Sequence, residues 1–154
     1  MANDAMQQQQ TQQMQRYKNH IQTYTARKRI LLVSSEDDVN LALKMALEEE
    51  EQDDDKGCFK VDSFNNPILA LKDFKIGFYD LLIIDIVMPQ MNGFELSEKI
   101  RYVDDKVKIC FLTAGGVPSK VRFDPLRGGY QDRFIRLPIE NEVLIEQISK
   151  IICS

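Results

Sequence analysis

The amino-acid sequence predicts an α/β domain, a parallel sheet covered by helices on both faces. From residue 29 onward, short apolar runs of strand length alternate with amphipathic stretches of helical spacing. The run LLIID, residues 81–85, is apolar until its last position, as in a central strand buried on both sides. With 154 residues and 44% apolar side chains, the chain can supply the core of one domain.

Taken in order, residues 1–26 form a Gln-rich stretch with few apolar anchors, which predicts a flexible tail ahead of a domain spanning 27–154. RILLV, 29–33, is the first strand, and Val39, Leu43, Ala46 and Leu47 recur behind it at helical spacing. After an acidic loop, CFKVDSF, 58–64, alternates as a second strand. NNPILALKDF, 65–74, opens a helix with Asn66 as N-cap and Pro67 in the first helical position. LLIID is the third strand, and the loop IVMPQMNG leads to a helix with Leu96, Ile100 and Val103 on one stripe. KICFLT, 108–113, and RFIRL, 133–137, are further strands, and a last helix carries Leu144, Ile148 and Ile151. Between them, AGGVPSKVRFDPLRGGYQDR holds four glycines and two prolines, so any helix there is short or irregular.

The formal charge of −4 argues against a generic nucleic-acid or anionic-membrane binder, since such partners attract clustered Lys and Arg. Arg16–Arg29 carries five basic residues and no acid, whereas Glu48–Asp55 carries seven acids; both read as solvated charge runs. Cys58, Cys110 and Cys153 lack zinc-ligand spacing and read as reduced thiols. Without an apolar run of about 18 residues or an apolar leader core, the expected location is the cytoplasm.

In open α/β sheets, ligands bind beyond the carboxyl ends of the strands. Three polar positions fall there: Ser34/Ser35, Asp85 and Thr113. They are expected to converge in one shallow cleft.

LLIIDIVMPQMNGFEL closely resembles the phosphoacceptor segment of response-regulator receiver domains of two-component signalling. The pattern D-x-x-M-P-x-M-x-G, the run FLTA at 111–114 and a strand ending before Pro138 carry the resemblance, which extends over residues 29–152. It implies a flavodoxin-like fold with strand order 2-1-3-4-5. It also implies that Asp85 holds the phosphoacceptor position, Thr113 the phosphate-contacting hydroxyl and Phe134 the aromatic switch on the fifth strand.

Two departures strike the same chemistry. The family's acidic pair falls on Ser34 and Ser35, and its lysine falls on Leu137, in FIRLPI. Phosphoryl transfer needs Mg²⁺ to neutralise developing charge, and neutral hydroxyls are poor ligands for a hard cation. Leucine supplies neither charge nor donor. A phosphoryl group of about −1.5 to −2 on Asp85 would face almost no counter-charge. A register shift would bring in Glu36, with Asp85 and the Val87 carbonyl, as the metal set, but it would also displace the strand and the helical stripe. Arg136 neighbours Leu137 yet points to the other face of its strand. Losing both acids and the lysine together avoids a cluster of unbalanced like charge.

The expected function is a pseudo-receiver, a signalling module without cofactor or enzymatic activity whose partner is a protein, such as a histidine kinase or another signalling protein. A homodimer through the fourth helix, fifth strand and fifth helix is one such contact. The alternative is a phospho-accepting receiver that uses Asp85 with atypical Mg²⁺ coordination. An aspartyl-nucleophile hydrolase is disfavoured because Val87 stands where its second aspartate would be.

Overall fold

The computed structural model describes residues 2–25, 27–49, 59–115 and 133–153. In chain order the elements are α1 (Ala2–Thr25), β1 (Arg29–Val33), α2 (Asp37–Glu48), β2 (Lys60–Phe64), α3 (Pro67–Asp73), β3 (Leu81–Asp85), α4 (Gly93–Val103), β4 (Lys108–Thr113), β5 (Phe134–Arg136) and α5 (Asn141–Cys153). The five strands form one parallel sheet in the order β2-β1-β3-β4-β5. This is the flavodoxin-like arrangement, with β1 and β3 inside and the strand order reversing between them.

The apolar runs form strands because both of their faces are covered. Ile30, Leu32, Leu81, Ile83, Cys110 and Leu112 pack on one side with Leu43 and Leu47 of α2 and Leu144 and Ile148 of α5. Leu31, Val33, Leu82, Ile84, Ile109 and Phe111 pack on the other with Ala70 of α3 and Leu96 and Ile100 of α4. Each fully buried Leu or Ile contributes about 1.5–3 kcal/mol relative to exposure. Burial also pushes the Cys110 thiol up to about 12, against a weaker opposing pull from Arg133, so it stays protonated and unreactive.

Local signals set the helix starts. Asn66 Oδ1 accepts from the Ile68 and Leu69 N–H groups at 2.9 and 3.3 Å, with Pro67 opening α3. At α4, Asn92 Oδ1 accepts from Glu95 N at 2.9 Å while Asn92 Nδ2 donates back to Glu95 Oε1 at 3.1 Å.

Four expectations need adjustment. The stretch read as a flexible tail contains a 24-residue helix, α1. Gln, Met, Ala and Arg lose little rotamer freedom in a helix, and this propensity is independent of apolar content. Val103 leaves the buried stripe of α4 and is 46% exposed, because the helix ends there and the chain turns at Asp104. The fifth strand is shorter than RFIRL, spanning Phe134–Arg136. The second begins at Lys60, and Cys58 lies outside the described residues. The expectation of a short or irregular fourth helix falls largely on residues 116–132, also outside them. No described helix is long and apolar enough to cross a membrane.

Candidate functional site

Register brings the candidate residues together. β1 pairs with β3 so that Val33 lies opposite Ile84, which places Ser34 beside Asp85 one step further on. Ser34 is fully buried, and its hydroxyl donates to Asp85 Oδ2 at 3.1 Å. Ser34 Oγ in turn accepts the Glu36 N–H at 3.2 Å. Asp85 Oδ1 accepts the Val87 N–H at 3.2 Å, so among the described residues the carboxylate has one partner on each oxygen.

Asn40, on α2, secures the serine from behind. Its Nδ2 donates to the Ser34 carbonyl at 2.7 Å and to the Phe64 carbonyl at 3.2 Å, and Ser34 N donates to that same Phe64 carbonyl at 3.2 Å. A buried amide that ties the ends of β1 and β2 together was invisible in the sequence, where Asn40 is one polar residue beside an apolar stripe. Its Oδ1 is buried with no hydrogen-bond partner among the described residues.

The loop after β3 is held close to the site. Gly93 N donates to the Ile86 carbonyl at 2.9 Å, and a Cβ at Gly93 would collide with the Asp85 carbonyl oxygen. The glycine of the motif is therefore required by close backbone approach. Just before it, Met91 N donates to the Pro89 carbonyl at 2.8 Å around Gln90, whose φ is +70°. This γ-turn places a non-glycine residue in a strained backbone region next to the site.

The remaining candidates sit nearby in different roles. Thr113 ends β4, one position beyond the Asp85–Leu112 pair. Its Oγ1 donates to the Gly115 carbonyl at 3.1 Å and accepts the Gly115 N–H at 3.2 Å. Phe134 is half-buried on β5, its ring 5.5 Å from that of Phe111. Leu137 donates its N–H to the Thr113 carbonyl at 2.8 Å, and its side chain packs against the apolar cluster between the sheet and α2/α5. Ser35 is half-buried, Glu36 is exposed, and Val87 is 80% exposed. Ser34 and Asp85 are thus joined directly, while the Thr113 hydroxyl engages its own loop.

The sheet order and the aspartate at the end of β3 agree with a match of residues 30–149 to the response regulator receiver domain family model. The chain belongs to that family. It is 30% identical over 126 residues to the response regulator receiver protein CpdR of Brucella abortus, covering 81% of this chain and 97% of CpdR. It is 35% identical over 113 residues to the transcriptional regulatory protein FlgR of Helicobacter pylori, spanning 73% of this chain but 27% of FlgR. The receiver domain of HemR from Leptospira biflexa superposes with a TM-score of 0.68 at 25% identity, over 83% of this chain and 96% of that one.

Receiver domains are signalling modules, and the family implies Mg²⁺ beside the aspartate. The donor set here does not fit that ion. Mg²⁺ demands oxygen ligands in near-octahedral geometry, with carboxylates favoured. Ser34 Oγ already gives its proton to Asp85 and a lone pair to Glu36 N. Among the described residues, no group of three or more His, Cys, Asp or Glu side chains could hold a metal ion.

Proposed function

We propose that this receiver works as a protein-interaction module in two-component signalling, without Mg²⁺-dependent phosphorylation of Asp85 and without enzymatic activity. The observation that carries the reading is the Ser34–Asp85 hydrogen bond, in which a buried neutral hydroxyl stands at the family's acidic-pair position. A carboxylate there would repel Asp85 unless a cation lay between them. The serine instead donates to the aspartate directly, and at the lysine position half-buried Leu137 packs against the core. The output of such a module depends on the surface it presents to a protein partner, for instance a histidine kinase or another signalling protein in the cytoplasm.

Amide NMR of the full chain with Mg²⁺, and then with Mg²⁺ and beryllofluoride, tests this. The expected result is unchanged resonances around Asp85 and Thr113. Shifts that vanish in Asp85→Asn would overturn the reading and establish a phospho-accepting receiver with atypical coordination through Glu36, Asp85 and the Val87 carbonyl.

A further inference from the structure

We propose that Glu48 keeps the β2 edge of the sheet closed, its carboxylate holding the amide through which another strand would otherwise pair. β2 has β1 on one side and, among the described residues, no strand on the other. Along a parallel strand, alternate residues turn both backbone groups toward the same neighbour. Lys60 N donates to the Lys28 carbonyl at 2.9 Å, and Ser34 N donates to the Phe64 carbonyl at 3.2 Å, so Lys60, Asp62 and Phe64 face β1. Val61 and Ser63 therefore turn their N–H and C=O groups outward. Such a row of groups is a template for a further strand.

The outward N–H of Val61 is already taken. Glu48 Oε1 accepts it at 2.9 Å, and the same oxygen lies 3.8 Å from Lys60 Nζ. Glu48 reaches the edge because the end of α2 is pinned beside it. Ala46 and Leu47 are buried in the same apolar cluster as Val61, and Phe59 N donates to the Leu47 carbonyl at 3.3 Å. The Glu48 side chain is only 28% exposed, so the first residue of the acidic run is a bonded group and not a solvated charge. Its position is otherwise unfavourable: Glu48 ends α2, whose last turn holds no basic side chain, and a carboxylate at a helix C-terminus opposes the dipole. The bond to Val61 is what the carboxylate gains there.

The strand that Glu48 excludes is β2 of a second copy, antiparallel about a two-fold axis at Ser63. Such a pairing is self-complementary, so one strand supplies both sides of it. In that register the two Ser63 residues exchange both of their backbone hydrogen bonds, and Val61 of each chain lies opposite Asn65 of the other. The Val61 N–H is the next donor in that ladder, and the Glu48 carboxylate stands where the second strand's carbonyl would have to come. The opposite edge of the sheet, β5, is a shorter template, spanning Phe134–Arg136 against Lys60–Phe64 for β2.

Amide hydrogen exchange and sedimentation equilibrium of the full chain test the proposal. Glu48→Ala removes the acceptor while favouring the helix, through higher propensity and loss of the opposing charge. Glu48→Gln keeps an oxygen that can accept the same bond. In dilute solution, the Val61 amide should exchange about tenfold faster in Glu48→Ala than in wild type, and at the wild-type rate in Glu48→Gln. With rising concentration, Glu48→Ala should gain mass from 17.8 kDa toward twice that value, a gain that wild type and Glu48→Gln do not show. Adding Ser63→Pro to Glu48→Ala removes an outward N–H, leaves the bonds to β1 in place and should abolish that gain. A Glu48→Ala chain that associates no more than wild type overturns the proposal, as does a Val61 amide indifferent to Glu48. Association that survives Ser63→Pro also overturns it, assigning the effect to a weakened fold and not to the edge.

Discussion

The two ends of the sheet hold their carboxylates in contrasting ways. At the carboxyl end, Asp85 accepts from one hydroxyl and one backbone N–H among the described residues, at 3.1 and 3.2 Å. At the amino end, Asp104 accepts three backbone N–H groups, from Gly77 at 2.9 Å and from Lys106 and Val107 at 3.1 Å each. Around it, Asp80 accepts the Arg29 N–H at 2.8 Å, and Asp62 accepts the Tyr79 hydroxyl at 2.8 Å. Lys108 Nζ donates to the Ile151 and Ile152 carbonyls at 3.1 and 2.7 Å, closing the end of α5. Burial raises the Tyr79 pKa, and the hydrogen bond to Asp62 raises it further, keeping the phenol a donor. The amino end is a set of latches between loops and strand starts. At the carboxyl end the described residues give the aspartate only Ser34 and the Val87 N–H.

The largest effect is expected at the carboxyl end, where backbone is crowded. Gly93→Ala pushes a methyl group into the Asp85 carbonyl and should destabilise the domain by about 3 kcal/mol, read by urea unfolding. A loss below ~1 kcal/mol would mean that the loop yields and is not held against β3 as described.

Asp104→Ala strips three N–H groups of their acceptor at the amino end and should cost about 2 kcal/mol in the same measurement. The companion change, Ser34→Ala, removes a single donor from Asp85 and should cost about 1 kcal/mol. Equal costs would erase the distinction between the two ends.

Acid acts on the amino-end carboxylate. Desolvation raises the Asp104 pKa, but the three N–H bonds outweigh it and hold the carboxyl below its ordinary 3.8. With a folded pKa below the unfolded one, its contribution is fully present above the unfolded value and is lost as pH falls through the folded value. Wild type should therefore lose more stability than Asp104→Asn on going from pH 5 to about pH 2, measured by thermal unfolding. The smallest effect is expected at Gln90: Gln90→Gly relieves the positive φ and should stabilise by under ~1 kcal/mol, the gain offset in part by chain entropy.

The sheet was legible because burial on both faces writes itself as continuous apolar runs, and RILLV, LLIID and KICFLT match their strands residue for residue. Asn66 and Pro67 were legible as a helix start because capping depends on neighbouring residues alone. The positions of Ser34, Asp85 and Thr113 at strand ends followed from the same alternation. Their bonding did not, because a position at a strand end leaves the side-chain partner open. Register and rotamer chose Ser34 and Val87 N–H, and turned Thr113 toward Gly115. Asn40 escaped notice because its partners lie six and twenty-four residues away.

Side-chain type and local spacing alone set the alternation of elements, the family, and the neutral residues at positions 34, 35 and 137. Three-dimensional packing set that Ser34 answers Asp85, that half-buried Leu137 packs against the core, and that Gly93 has no room for a side chain. Such contacts join residues as much as 51 positions apart, and their distances are set by how strands register and helices pack.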